Sequence, residues 1–381
     1  MNYRRPLATA TLLLGGFAPA LTPAAHADQT VKIGCAVPLT GDLAHMGKDI
    51  ENGAQLAIDE INKSGLTING QKVTLSLDAQ DDAADPRQGT QVAQKLIDDG
   101  VAAVVGHLNS GVSIPASKIY NDAHVTMITP SATNPTLTLQ GFNVAYRMVG
   151  TDAQQGPALA RYAASGLKAK TVAVVDDATS YGQGLAEQFA KTASSAGLTV
   201  VSRDATNDKA TDFRAILTKI KGERPDVIMY GGMDATAGPF AKQARQLAVS
   251  SKMLFGDGAC TTDLSKLAGN ATDSVYCSEA GIALEKMPGG AAFGQKYQAR
   301  FGQPVVIYAP FAYDAVYVLV DAMKRANSTS SAAIVGAMQQ TKREGVTGLV
   351  QFDSHGDLKQ SSISIFHYTN GKKQVLDIVK M

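Results

Sequence analysis

The chain has 381 residues, of which 18% are charged and 45% are hydrophobic, and its formal net charge is +1. A single core rarely organises so long a chain, so we expect two lobes of roughly 150 residues each. The near-neutral charge without a basic stripe excludes a nucleic-acid partner, and no later apolar run approaches the roughly 18 residues of a membrane-spanning helix.

Residues 1–27 are predicted to be a cleavable signal peptide. Arg4 and Arg5 precede an apolar run, and Ala25-His26-Ala27 has the small-x-small pattern that signal peptidase cuts. Cleavage removes two arginines and no acid, so the mature chain would start at Asp28 with a net charge of −1. We therefore expect a protein exported to the periplasm.

The first part of the mature chain alternates short apolar runs with amphipathic ones. This pattern is typical of a parallel α/β sheet covered by helices, because buried strands are continuously apolar and surface helices show a period of 3.6 residues. The predicted strands are 31–38, 73–80, 101–105 and 125–129, and the predicted helices are 47–63, 86–99 and 113–123.

The same alternation restarts at residue 171 and predicts a second α/β lobe. Its predicted strands are 171–177, 198–204, 225–232 and 252–257, and its predicted helices are 183–196, 211–221 and 237–248. From about 281 the sequence favours further helices, including 308–326. The segment 345–353 follows, and then come a turn at 354–357 and two closing strands. No low-complexity linker separates the halves, which indicates several short crossovers between the lobes.

Polar residues follow the strands of the first lobe, at the edge where open parallel sheets bind ligands. Asn109 and Ser110 come after strand 101–105, and Ser131, Ala132 and Thr133 come after strand 125–129. Helix starts expose unpaired N–H groups that stabilise an anion, although Ser and Thr more often cap their own helices. The two loops together predict a carboxylate or phosphate site.

The strand ends of the second lobe supply different groups, including Tyr181, Met233 and Asp257. An anion site on one lobe and an acid on the other could bind the two opposite charges of a zwitterion. We expect Leu108, Met46, Met233, Tyr181 and Tyr308 to give the site its apolar surface, although each of these residues is individually more typical of a core.

Three cysteines are present. Cys260 and Cys277 bracket a short loop, and in an oxidising compartment a disulfide between them would contribute roughly 3 kcal/mol. Cys35 is interpreted as a small buried apolar residue of the first strand.

An ordered set of short motifs resembles the periplasmic leucine/isoleucine/valine-binding protein family, the substrate-binding component of branched-chain amino acid ABC importers. The motifs are VPLTG at 37–41, GAQLAIDEIN at 53–62, DDAADPRQ at 81–88, GHLNSG at 106–111, ITPSATNP at 128–135, DAQQGP at 152–157, YGQGLA at 181–186, YGGMDATAGP at 230–239 and FAYDAVY at 311–317. Each motif alone is weak evidence for the family, but the ordered set is strong evidence. The resemblance spans nearly all of the mature chain.

The resemblance implies a type I periplasmic binding protein fold, in which two Rossmann-like lobes are joined by three crossover strands and close over a ligand in the cleft between them. By alignment, the N-terminal lobe would comprise 28–150 and 281–355, and the C-terminal lobe 151–280 and 356–381. No cofactor or metal is implied. The implied partners are a free amino acid such as leucine, isoleucine or valine, and a membrane permease, with the protein acting as a monomer.

Transferred residue by residue, the resemblance places the carboxylate contacts of the ligand on Ser110 and the Thr133 backbone. It places the ammonium contacts on the Ser131 carbonyl, the Thr133 hydroxyl and Asp257. The sequence departs from the family at several positions. Asp257 stands where relatives have glutamate, Met46 and Met233 stand where aromatic residues can occur, and Ala84 and Asn109 replace a cysteine pair that some relatives bridge. These departures leave the side chain of the bound amino acid open.

Competing functions are less well supported by the sequence. The six histidines show no HExxH spacing, and neither a GxSxG elbow nor a GxxxxGK[ST] loop occurs, so we do not expect an enzyme. A type I binding protein for an amide, urea or aromatic acid remains the main alternative, together with a soluble amino acid sensor domain.

Overall fold

The structure, a computed structural model, describes residues 1–3, 6 and 28–381. The apolar run and cleavage site of the predicted signal peptide lie outside the described residues. Within the described part, no helix has the length and apolar character needed to cross a membrane.

The first lobe is built on a six-stranded sheet in the order β2-β3-β1-β4-β5-β6, parallel except for the β2–β3 pair. Its elements are β1 (Gln29–Val37), α1 (Ala44–Ser64), β2 (Leu66–Ile68), β3 (Gln71–Asp81), α2 (Pro86–Asp98), β4 (Ala103–Gly106), α3 (Ser110–Asp122), β5 (Thr126–Thr129), α4 (Thr136–Leu139) and β6 (Ala145–Arg147). All residues of β4 and β5 are buried, as expected for strands covered on both faces.

The chain then builds most of the second lobe. Its elements are α5 (Asp152–Ser165), β7 (Thr171–Asp176), α6 (Ser180–Ala193), β8 (Thr199–Ala205), α7 (Arg214–Glu223), β9 (Val227–Gly231), α8 (Asp234–Gln246), β10 (Lys252–Phe255), α9 (Leu264–Ala268) and β11 (Val275–Glu279). The strands β8, β7, β9, β10 and β11 are parallel neighbours.

The chain returns to the first lobe and then completes the second. The remaining elements are α10 (Gly290–Phe301), α11 (Ala309–Ala326), α12 (Ser331–Met338), β12 (Arg343–Gly345), β13 (Gly348–Val350), β14 (Ser362–Thr369) and β15 (Lys372–Lys380). Helix α11 packs against α1 and the first sheet, whereas β14 and β15 extend the second sheet antiparallel to β11. The chain therefore crosses between the lobes after β6, β11 and β13, and the lobe boundaries at 150, 280 and 355 stay a prediction.

Four helices begin earlier than predicted. The structure starts α1, α3, α6 and α8 at Ala44, Ser110, Ser180 and Asp234, each three residues before the predicted start. The first turns of these helices show no regular apolar spacing, so the sequence pattern assigned them to the preceding loop. These first turns are the part of each helix nearest the cleft.

Helix α5 was not predicted. It follows the first crossover and contains Pro157, which donates no N–H and so weakens the helical pattern. Its start is fixed locally because the Gln154 side chain accepts the N–H of Thr151 at 3.0 Å. Strands β2, β6 and β11 were also missed, because they are short or lie beside loop-forming residues. The disulfide between Cys260 and Cys277 is present, and Cys35 is buried and unpaired.

Candidate functional site

Two loops at the carboxyl edge of the first sheet form one half of the candidate site. The loop after β4 leads directly into α3 at Ser110, which is 1% exposed. The Ser110 hydroxyl accepts the N–H of Asn134, from the loop after β5, at 3.2 Å. The start of α3 is therefore fixed to the neighbouring loop.

Hydroxyl groups connect the same two loops further. Thr129 Oγ1 accepts the N–H groups of Ser131 at 3.2 Å and of Ala132 at 2.9 Å, and Ser131 Oγ donates to the Leu108 carbonyl at 2.9 Å. Thr133 Oγ1 is buried and has no hydrogen-bond partner among the described residues. A buried hydroxyl without a partner costs free energy, so a ligand atom at this position would be stabilised.

Three buried side chains that hydrogen-bond to one another lie beside the first of these loops. His107 Nδ1 lies 2.7 Å from Oδ2 of Asp82, and His107 Nε2 lies 3.1 Å from the Tyr120 hydroxyl. All three side chains are fully buried or nearly so. These hydrogen bonds fix the backbone directly before Leu108 and Asn109.

In the second lobe, the candidate site is centred on Asp257. It follows β10 and is 1% exposed. Its Oδ1 accepts Gln155 Nε2 at 2.9 Å and the Tyr181 hydroxyl at 3.0 Å, and its Oδ2 accepts the Tyr308 hydroxyl at 2.8 Å. The structure thus brings together three residues that the sequence placed in the site, Asp257, Tyr181 and Tyr308.

Sequence reasoning assigned no role to Gln155. Besides donating to the Asp257 carboxylate, its Oε1 accepts the Asp257 N–H at 3.0 Å and the Ser278 hydroxyl at 2.6 Å. Gln155 therefore holds both the backbone and the side chain of Asp257. Gln155 lies in the motif DAQQGP, which is part of the family resemblance. Because α5 was not predicted, the sequence did not indicate which way the Gln155 side chain points.

Asp152 is the second residue that was missed. It begins α5, is fully buried, and neither of its carboxylate oxygens accepts a hydrogen bond from the described residues. Its N–H donates to the Thr133 carbonyl at 2.9 Å, which joins it to the loop after β5. No strand-end pattern marks this position, since Asp152 lies on a crossover.

Burial changes the pKa of both acids, and the charge of Asp257 also acts on Asp152. Burial, together with the charge of Asp257, raises the pKa of Asp152 to about 8, although the Thr133 hydroxyl, close without reaching hydrogen-bond geometry, and Arg147 oppose the shift. Burial also raises the pKa of Asp257, against the hydrogen bonds from Gln155, Tyr308 and Tyr181. A positively charged ligand would stabilise the ionised forms of these two buried carboxyl groups.

The expected apolar residues surround this polar centre. Leu108, Met46, Tyr181 and Tyr308 belong to one buried cluster, and the half-buried Met233 packs against it. A side chain at Gly258 would place Cβ 2.6 Å from Met233 Sδ and 2.9 Å from the Tyr181 ring, so only glycine allows this approach. Asn109, Tyr181 and Met233 line a cavity of about 500 Å³ between the lobes.

Direct contacts join the two lobes around the site. The Tyr308 hydroxyl reaches Asp257, and Asn134 Nδ2 donates to the Ser180 carbonyl at 2.6 Å. His45 Nε2 on α1 lies 2.8 Å from Oδ2 of Asp234 at the start of α8. The lobes are therefore in a closed arrangement.

The hydrogen-bonding groups of the candidate site match the two charged ends of a small zwitterion. The start of α3 offers N–H groups and a hydroxyl to a carboxylate, while Asp152, Asp257 and Thr133 Oγ1 offer acceptors to an ammonium group. Among the residues that the structure describes, no cluster of His, Cys, Asp or Glu has metal-binding geometry.

Comparison with known proteins gives matches over most of the chain. Residues 30–373 match the family described as periplasmic binding protein. A Leu/Ile/Val-binding protein, BraC3, from Rhizobium johnstonii is 38% identical over 355 residues, which cover 93% of this chain and 95% of that protein.

Solved structures with two kinds of ligand are similar to this chain. The branched-chain amino acid transporter substrate-binding protein LivJ of Streptococcus pneumoniae, in complex with isoleucine, superposes with a TM-score of 0.84 at 29% identity, covering 93% of this chain and 100% of that one. A solute-binding protein of an ABC transporter from Rhodopseudomonas palustris, in complex with 3,4-dihydroxybenzoic acid, has a TM-score of 0.81 at 25% identity, covering 92% and 97%.

Proposed function

We propose that this chain, which belongs to the periplasmic binding protein family, captures a branched-chain aliphatic amino acid and delivers it to an ABC importer permease. The chain is a binding protein with a type I fold and not an enzyme. Its proposed place of action is the periplasm, where it would act as a monomer.

The observation that carries the proposal is the pair of buried carboxylates beside a helix start. Asp152 and Asp257 provide negative charge for an ammonium group, and Ser110 with the Thr133 backbone provides donors for a carboxylate. A buried zwitterion without such partners would cost many kcal/mol, so both of its ends must be met by charge-assisted hydrogen bonds.

The rest of the affinity comes from apolar burial and closure. An aliphatic side chain contributes about 25 cal/mol for each Å² of apolar area that Leu108, Met46 and Met233 remove from water. Micromolar affinity needs about −8 kcal/mol in total. Contacts from both lobes exist only in the closed arrangement, so ligand binding stabilises closure, and we propose that the permease recognises the closed shape.

A second candidate is an aromatic acid, since a relative from Rhodopseudomonas palustris was solved with 3,4-dihydroxybenzoic acid. An aromatic acid has a carboxylate but no ammonium group. It would leave the buried Asp257 carboxylate without a positively charged partner in the ligand. The charge of the site therefore favours an amino acid.

The decisive experiment is a thermal-shift screen of the mature protein against the twenty amino acids, urea, short amides and benzoates. We expect leucine, isoleucine or valine to stabilise the protein, by about 2.7 kcal/mol at 100 times the dissociation constant. Stabilisation by benzoates or amides alone would refute the amino acid assignment.

A further inference from the structure

A cavity of about 500 Å³ lies beside the proposed headgroup site, because its lining includes Tyr181, whose hydroxyl donates to Asp257. Its lining includes Asn109, Tyr181 and Met233, which the sequence assigned to ligand binding. The volume lies within the roughly 300–1,000 Å³ of ordinary small-molecule sites.

In each lobe, one residue of the cavity lining has a buried hydrogen-bond acceptor without a donor among the described residues. Asp177, which follows β7 in the second lobe, is 2% exposed, and its Oδ1 accepts the N–H of Thr179 at 3.0 Å and the Thr179 hydroxyl at 2.6 Å. Its Oδ2 is buried and has no donor among the described residues. Asn109 Oδ1, from the first lobe, is also buried without a donor there.

The charge of the lining is negative. Its charged residues within the described chain are Asp42, Asp85, Asp177, Asp208 and Lys209. Four of these five residues are acids, so the lining carries a net charge of −3 with Lys209 counted. Among the described residues, the Asp177 carboxylate accepts hydrogen bonds only from Thr179 and forms no ion pair.

We propose that this cavity accepts the side chain of an amino acid that has a methylene stem and a cationic end, such as lysine, ornithine or arginine. Tyr181 and Met233 supply apolar surface for the stem, and Asp177 Oδ2 and Asn109 Oδ1 accept hydrogen bonds from its end. The inference rests on the proposed function, since the same headgroup site holds the α-carboxylate and α-ammonium groups. It extends the substrate class beyond branched aliphatic amino acids.

Burial raises the pKa of Asp177 to about 6, so the carboxylate is mostly ionised at neutral pH and carries a desolvation cost. A bound guanidinium or ammonium group would offset this cost, because charge-assisted hydrogen bonds are stronger in a partly desolvated site.

The test uses ligands matched in shape and different in charge. Isothermal calorimetry on the mature protein at pH 7 compares arginine with citrulline, and lysine with norleucine, with leucine as the reference ligand. We expect each cationic ligand to bind at least tenfold more tightly than its neutral counterpart. Raising the salt concentration is expected to reduce the difference only modestly, since the pair is buried.

One variant assigns the effect to the cavity. Asp177→Asn keeps an Oδ1 acceptor for Thr179 and removes the charge. It is expected to weaken arginine at least tenfold and to change leucine by less than twofold. The matched control is Asp176→Asn, at the neighbouring half-buried acid outside the cavity lining, which should change neither.

Two outcomes would overturn the inference. Equal affinities for arginine and citrulline, and for lysine and norleucine, would remove the cationic subsite, as would an Asp177→Asn variant that weakens leucine as strongly as arginine. In either case leucine binding would uphold the proposed function. The absence of binding by every α-amino acid would instead refute the proposed function, and the subsite with it.

Discussion

The hydroxyl of Tyr308 lies 2.8 Å from Oδ2 of Asp257, although the two residues are carried by different lobes. Tyr308 directly precedes α11, which packs on the first sheet, while Asp257 follows β10 of the second sheet. The hydrogen bond therefore exists only when the lobes are closed. It couples the proposed ammonium acceptor to the closed arrangement.

The first prediction concerns Asp257. Asp257→Asn should raise the leucine dissociation constant at least a hundredfold, because truncating a buried charge partner costs about 2–5 kcal/mol. The unfolding temperature without ligand should stay equal or rise, since burial raises the pKa of this carboxyl and its ionised form is costly at neutral pH. Calorimetry and thermal unfolding measure the two effects, with the exposed Asp273→Asn as control. Unchanged leucine affinity would remove the zwitterion assignment.

The second prediction concerns Ser110. Ser110→Ala should weaken every α-amino acid by about tenfold, because a hydrogen bond to a charged group contributes about 1.5–3 kcal/mol. Neutral amides should be unaffected, since they bring no carboxylate to the start of α3. Ser117→Ala, further along the same helix, serves as the control. An equal loss for amides and amino acids would show that Ser110 does not contact a carboxylate.

The third prediction concerns the proton of Asp152. Burial and Asp257 raise the pKa of Asp152 from 3.8 to about 8, so between these pH values the folded protein holds a proton that the unfolded chain releases. The stability of the ligand-free protein should therefore fall as pH rises from about 4 to about 8, and Asp152→Asn should lose this dependence.

The same proton gives a direct readout of ligand binding. An ammonium group beside Asp152 would favour the ionised carboxylate, so leucine binding at pH 7 should release up to about one proton from the wild-type protein and none from Asp152→Asn. Calorimetry in buffers with different ionisation enthalpies measures the released protons. Equal release by both proteins would place Asp152 outside the site.

The fourth prediction concerns His45. Burial lowers its pKa, but the hydrogen bond and charge of Asp234, with Asp263 and a backbone bond at Asp42, raise it above 6.5 overall. The protonated imidazole stabilises closure, and this contribution is fully present below about pH 6.5 and disappears as pH rises through the raised pKa.

His45→Gln should consequently bind leucine more weakly than wild type at pH 6, by about fivefold, which corresponds to about 1 kcal/mol for a partly exposed pair. The ratio of the two dissociation constants should approach one at pH 9. A ratio that stays constant with pH would mean that the contact with Asp234 does not depend on the imidazolium charge.

The fifth prediction concerns the disulfide. Cys260 and Cys277 are 17 positions apart, and opening a loop of this length should cost about 3 kcal/mol of unfolding free energy. The double variant Cys260→Ser and Cys277→Ser should therefore unfold at lower denaturant concentration, and peptide mapping without reduction should recover the linked pair only from wild type. Cys35→Ala is the control for loss of a buried thiol.

Much of the fold followed from patterns with short range. The apolar runs of β1, β4, β5, β7, β9 and β10 are visible because buried parallel strands are continuously apolar. The alternation with helices predicts the α/β class, and polar residues at strand ends indicate the binding edge. Helix α5 escaped detection because Pro157 interrupts the pattern, and the first turns of α1, α3, α6 and α8 escaped because they show no regular apolar spacing.

The chain by itself determined the alternating architecture, the bridged cysteines and the chemical types offered to a ligand, since periodicity, composition and strand-end polarity act over a few residues. Only the tertiary structure decided which of these groups meet. Gln155 and Asp152 reach Asp257 and Thr133 because a crossover carries α5 beneath the second sheet, and Asp177 lines the cavity with Asn109 because the lobes close on each other. Burial then raises the pKa values of the acids in the site, and their burial depends on the packing of distant segments.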